Sequence, residues 1–120
     1  MNLAPIVRNR TGRYDLTVYA ENGGRQNLAN TSLIIRFKLQ PYFSDSQASF
    51  SLQYGTGLTI TDTVNGEIRM VVAAALTEAL NWTTNPLTIP LYFDSVLTDS
   101  DGNEWPVKGL SGILPVVPWG

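Results

Sequence analysis

"GLTITDTVNGEIRMVV", residues Gly57 to Val72, decides how the rest of the chain is read. Leu58 and Ile60 recur at every second position before Asn65-Gly66, and Ile68, Met70 and Val72 do so after it, alternating with Glu67, Arg69 and Val71. A period of two sends alternate side chains to opposite faces of an extended strand. Asn-Gly between two such runs supplies the positive φ of a tight turn. The stretch therefore predicts a β-hairpin from Leu58 to Val72.

The same period extends outward on both sides. In "RYDLTVYA", Tyr14, Leu16, Val18 and Ala20 share one face and Arg13, Asp15 and Thr17 the other, until "ENGGRQ" offers Asn22, Gly23 and Gly24 for a turn. "LIIRFKL" sets Leu33, Ile35, Phe37 and Leu39 inward against Arg36 and Lys38 outward, and Pro41 stops it because proline cannot donate to a ladder. "PYFSDSQ" reads as a loop, and "ASFSLQ" brings Phe50 and Leu52 to one face. "LTIPLYFDSVLT" predicts a long strand with Leu87, Ile89, Leu91 and Phe93 on one face and an open edge or bulge at Pro90. In the closing "WPVKGLSGILPVV", Gly109 and Gly112 mark a bend or a close backbone approach, and Pro115 and Pro118 end the fold.

One segment departs from this period. "AAALTEALNW" holds Ala75, Leu76, Ala79 and Leu80 at helical spacing, which predicts a short helix from about Ala74 to Leu80 carrying the chain between sheets, with Trp82 plugging an edge. Short alternating strands separated by turn residues, plus one short helix, make an all-β sandwich or barrel.

With 120 residues, the chain suits a single domain with a real core. A flexible N-terminal arm over about residues 1–12 and a Pro-rich C-terminal tail over about 115–120 are expected at its ends. A net charge of -2 lacks the basic face that displaces counterions from nucleic acid. Without cysteine or histidine there is no disulfide, thiolate nucleophile, Cys/His zinc site or imidazole base. The N-terminus does not read as a secretion signal, and no apolar run approaches the roughly 18 residues of a membrane span. The chain is thus expected to be made in the cytoplasm, where the sequons at Asn9, Asn30 and Asn81 are coincidental.

Few residues qualify as sites. "TDSDGNE" (Thr98 to Glu104) has calcium-like oxygens in Asp99, Asp101, Asn103 and Glu104, but Leu110 stands where a bidentate acid should close the loop. Asp101-Gly102 between apolar runs is read as a hairpin turn instead. Asp94, Asp99 and Asp101 show no feature that marks a glycosidase pair among turn and strand acids. No catalytic, metal or cofactor residue is assigned. Arg8, Arg10 and Arg13 form the one clustered charge, either an element that pairs with an acidic partner or contacts phosphates, or a solvated, flexible terminus. Tyr42 and Phe43 put two aromatics in a loop. Trp119, beyond Pro118, is either a docking anchor or a tail that folds back.

From Leu58 onward, "GLTITDTVNGEIRMVVAAALTEALNW" and "PLYFDSVLTDSDGNEWPVKGLSGILPVVP" resemble the N-terminal domain of the baseplate upper protein of tailed bacteriophages and small related tail proteins. The resembling elements are Gly57 to Thr61, Gly66 to Val72, Ala73 to Leu80, Tyr92 to Gly102 and Leu110 to Pro118, with "RYDLTVYAENGGRQNLANTSLIIRFK" similar to the family's opening. Phe93 departs from its Tyr-Asp-Leu pattern, and the extension that leads to receptor-binding machinery does not follow Pro118. The resemblance implies an immunoglobulin-like antiparallel β-sandwich without catalytic or metal residues. It also implies a tail or baseplate component of the virion that docks onto other virion proteins and forms homo-oligomers. A head-decoration or neck protein, with a capsid partner, is the alternative within that class. A carbohydrate-binding module stacking Tyr42, Phe43 and Trp119 on sugars is the alternative outside it.

Overall fold

The computed structural model describes residues 1–80, 82 and 87–118. Its elements in chain order are β1 (Ile6–Val7), β2 (Gly12–Thr17), β3 (Ser32–Lys38), a 3-10 turn (Asp45–Gln47), β4 (Phe50–Tyr54), β5 (Gly57–Asp62), β6 (Glu67–Val72), the helix α1 (Ala74–Glu78), β7 (Ile89–Thr98), β8 (Glu104–Pro106) and β9 (Gly112–Val117). The fold is all-β with one short helix.

The deciding hairpin is present, with β5 antiparallel to β6 through Leu58↔Met70 and Ile60↔Ile68. Asp62 shapes its turn by accepting the Asn65 N–H at 3.1 Å and the Asn65 Nδ2 at 2.9 Å. Pairing runs in one continuous order, β1-β9-β7-β3-β4-β5-β6-β2, with β8 also beside β7. Between β4 and β5 it rests on two parallel pairs, Gln53↔Gly57 and Tyr54↔Leu58, on either side of a turn in which Gln53 and Thr56 exchange backbone bonds. Strands so close in sequence cannot pair in parallel along their length, so the chain turns a corner there. The path folds over itself, and Phe37, Leu91 and Leu114 from one limb meet Leu16, Leu58, Ile68 and Met70 from the other in a single buried cluster.

Inward faces follow the alternation closely. Leu33, Ile35 and Phe37 of β3 are wholly buried, as are Leu91 and Leu97 of β7, with Ile89 and Phe93 nearly so. The alternation overreaches at two strand ends. Leu39 is 37% exposed and Leu87 67%, because β3 ends at Lys38 and β7 begins only at Ile89. Lys38 keeps its outward phase yet is only 5% exposed, since the chain beyond β3 folds back over it.

The termini differ most from expectation. Residues 1–12 are not a free arm: Ile6 and Val7 pair in parallel with Val116 and Val117, Leu3 donates to the Ile113 carbonyl at 3.0 Å, and Leu3 and Ile6 are buried. Apolar Leu3 and Ile6 gain more from the core than from water, and β9 offers them an open edge. The C-terminal segment is likewise structured through Val117, with Val116 wholly buried, so no tail begins at Pro115. A Cβ on Gly112 would strike the Met1 carbonyl, which is the close backbone approach expected at this glycine.

The expected closing strand is split. β8 pairs with the Val96 to Thr98 half of β7 and β9 with the Ile89 to Phe93 half, separated by residues 107–111. β2 pairs with β6 rather than β3, and the "ENGGRQ" turn closes only an isolated Tyr19↔Arg25 bridge. The helix ends at Glu78. Thr77, rather than Ala75 or Ala79, is its buried residue, accepting the Asn9 N–H at 2.9 Å on Oγ1 while its carbonyl takes the Trp82 Nε1 at 2.9 Å. No helix among the described residues is long and apolar enough to cross a membrane.

Candidate functional site

The site grows from the outer face of β3 and β7. Antiparallel register sets Arg36 opposite Asp94 and Lys38 opposite Tyr92, so Arg36, Lys38 and Asp94 share that face. Lys38 Nζ lies 3.2 Å from Asp94 Oδ2. Asp45, which opens the 3-10 turn, closes the cluster, with Oδ1 at 3.1 Å from Lys38 Nζ and Oδ2 at 3.5 Å from Arg36 Nη1. Ser44 and Gln47 cap the turn reciprocally, the Ser44 N–H donating to Gln47 Oε1 at 2.9 Å and the Gln47 N–H to the Ser44 carbonyl at 2.9 Å.

Burial disfavours the Lys38 ammonium, but its hydrogen bonds to Asp45 and Asp94 outweigh that and raise its pKa above the ordinary lysine value. The Lys38 hydrogen bond and the nearby Arg36 charge hold Asp45 below the usual carboxylate range. Both groups stay charged over a wide pH range, which fixes the base of the loop between β3 and β4.

That base presents Tyr42 and Phe43. Tyr42 is 78% exposed, and its ring meets the half-buried Phe43 ring edge-on, with centroids 5.5 Å apart and planes at 87°. The Phe43 N–H returns to the Gln40 carbonyl at 3.2 Å. Beside the loop, the exposed Leu39 forms a wall of an apolar groove of about 310 Å³ with Phe50, Leu76, Ala79 and Leu80. A large aromatic on an anchored loop would lose little conformational freedom on being covered.

The other sequence candidates lie elsewhere. Arg8 makes a two-pronged ion pair with Glu78, both contacts at 2.8 Å, and its guanidinium stacks 5.1 Å from the Trp82 ring centroid. It clasps the N-terminal segment to α1. Arg10 and Arg13 stay exposed beside a groove of about 310 Å³ between β1 and β2. Trp119 lies outside the described residues. The three acids do not converge, since Asp94 belongs to the Lys38 cluster and Asp99 binds its own loop. Asp99 Oδ1 accepts the N–H groups of Asp101 and Asn103, each at 2.9 Å, across a five-residue connection closed by Thr98↔Glu104. Among the described residues no group of three His, Cys, Asp or Glu is placed to hold a metal ion.

Lys38 and Asp45 carry the site, yet neither stands out in the sequence. Lys38 reads as an ordinary outward strand residue and Asp45 as a loop acid; the contact between them depends on how the intervening residues fold. No protein-family model matches the chain, and a search of curated proteins finds no match.

Proposed function

We propose that this chain is a non-enzymatic structural component of a tailed-phage virion, a tail or baseplate protein that docks onto a neighbouring virion protein through the Tyr42-Phe43 loop. The sequence resemblance and the all-β fold support the class. The observation that carries the docking role is the loop itself, with Tyr42 78% exposed on a base tied by Lys38, Asp45 and Asp94.

The test measures binding of the labelled protein to purified tail tubes and to expanded capsids. The expected result is binding to tails, weakened about tenfold or more by Tyr42→Ala, as for an interface anchor worth over 1 kcal/mol, with the melting temperature unchanged. Binding to capsids alone would move the chain to the head. Recognition of a glycan array that Tyr42→Ala abolishes would replace docking with sugar binding.

A further inference from the structure

We infer that the free edge of β2 is a self-association surface, on which a second copy of the chain pairs antiparallel about a two-fold axis at Tyr14. This inference is independent of the virion reading and of the Tyr42 loop.

The hydrogen-bond phase of β2 identifies the free groups. The Val18 N–H donates to the Gly66 carbonyl at 2.8 Å, one step beyond the Thr17↔Glu67 pair, so Val18 turns its backbone toward the β6 side. In an antiparallel ladder this direction alternates with every residue. Leu16, Tyr14 and Gly12 therefore bond to β6, while Arg13, Asp15 and Thr17 direct their N–H and C=O groups to the opposite side. β2 ends the pairing path, and among the described residues none of these three has a backbone partner beyond it. An unpaired edge is a template for another strand unless it is covered or made repulsive.

Charge selects both the occupant and the register. Arg13 and Asp15 are exposed and two residues apart, hence on one face. Two copies can bond only by placing free-edge residues opposite one another, which leaves five registers, centred on each residue from Arg13 to Thr17. Those centred on Leu16 and Thr17 pair neither Arg13 nor Asp15 with its opposite charge within the strand. Centring on Arg13 opposes Arg13 to Arg13, and centring on Asp15 opposes Asp15 to Asp15; like charges directly across are destabilising. Centring on Tyr14 sets Arg13 of each copy opposite Asp15 of the other. Asp15 already receives Arg69 Nε at 2.9 Å from within its own sheet, so the face would run Arg69, Asp15, then Arg13 of the second copy, alternating in sign. Among the described residues Arg13 has no ion pair of its own, leaving it available to supply that contact. On the opposite face the two Tyr14 residues stand at the axis as a non-hydrogen-bonded pair, each half-buried against its own core with its hydroxyl donating to the Ala4 carbonyl at 2.8 Å.

Sedimentation and residue-resolved amide exchange, from micromolar to millimolar protein, test this pairing. The expected result is a monomer-dimer equilibrium in which the Arg13 and Asp15 amides become protected as dimer forms. Arg13→Asp should weaken association about tenfold by replacing two attractive pairs with repulsive ones. Adding Asp15→Arg and Arg69→Asp to that variant, which reverses every charge on the face and keeps the cross-strand pair within each copy, should restore it and guards against simple misfolding. Asp15→Pro, which removes a free-edge N–H without touching the β6 ladder, should give a folded monomer. A monomer at every concentration, a dimer whose Arg13 and Asp15 amides exchange freely, or a charge-reversed variant that folds but does not recover association would each overturn the proposal.

Discussion

Gly66 and Gly102 sit in turns with positive φ, +67° and +85°, and the surroundings make them unequal. A Cβ at Gly66 would lie 2.6 Å from the carbonyl oxygens of both Val18 and Gln26, whereas at Gly102 it would meet nothing within 4 Å. Gly102→Ala should therefore cost only the left-handed strain of about 1–2 kcal/mol. Gly66→Ala must also displace two backbone segments and should cost at least about 3 kcal/mol. Equal losses in urea denaturation would refute the distinction. Asn-Gly and Asp-Gly announced both turns in the sequence, but the crowding of Gly66 comes from residues some forty positions away and is invisible in the dipeptide. At Asp99, Asn can still accept the Asp101 and Asn103 amides, so Asp99→Asn should barely change stability at neutral pH, while Asp99→Leu, which accepts neither, should lower the melting temperature. The Asn103 backbone hydrogen bond is the chief cause that lowers the Asp99 pKa from its ordinary 3.8. The stabilisation is therefore present above 3.8 and disappears as pH falls through the lower folded-state value. Asp99→Asn should remove that part of the acid dependence of the melting temperature.

Elements were legible where a full period of two met a partner on each side. β7 shows both the success and its limit. Pro90 stands opposite Pro115, and since neither has an N–H the two form a non-hydrogen-bonded pair. Pro90 thus faces the side where β3 has already ended, as the β3 pairing starts only at Tyr92. The open edge inferred from the proline is there. Leu39 and Leu87 continue the pattern beyond the last paired residue, so alternation alone cannot say where a strand stops. The loop after β3 was legible as a loop but not as an anchored one. Its anchoring gives a pH prediction. Asp45 is depressed below 3.8, so its contribution is present above that value and lost as pH falls through the folded pKa. Lys38 is raised above 10.5, so its contribution is complete below that value and lost as pH rises through the folded pKa. Amide protection at Phe43 and Gln47 should stay level between these limits and decline at both ends before global unfolding. Asp45→Ala should leave the loop poorly protected throughout; protection equal to that of the parent would show that the ion cluster does not hold it.

At the scale of the molecule, the one-core all-β architecture followed from period and composition, whereas the strand order did not. Pairing of β1 with β9 joins the two ends of the described chain, and a two-residue strand has too few positions to display any period. What recruits it is burial, with Ile6 at 4% and Leu3 at 9% exposure, together with the Arg8 clasp to Glu78. Removal of residues 1–7 should therefore act as core damage and not as loss of a tail. Leu3 and Ile6 each contribute about 1.5–3 kcal/mol of burial, so the truncated protein should lose about 3–6 kcal/mol, a large share of the 5–15 kcal/mol that holds an ordinary domain together. It should also bare the outer edge of β9, where Ile113 to Val117 is apolar and uncharged and so a template for intermolecular pairing. Urea denaturation gives the first quantity and light scattering at rising concentration the second. Unchanged stability in the truncated protein would mean that β1 is ornamental, whereas lost stability without aggregation would mean that β9 does not need β1 as a cover.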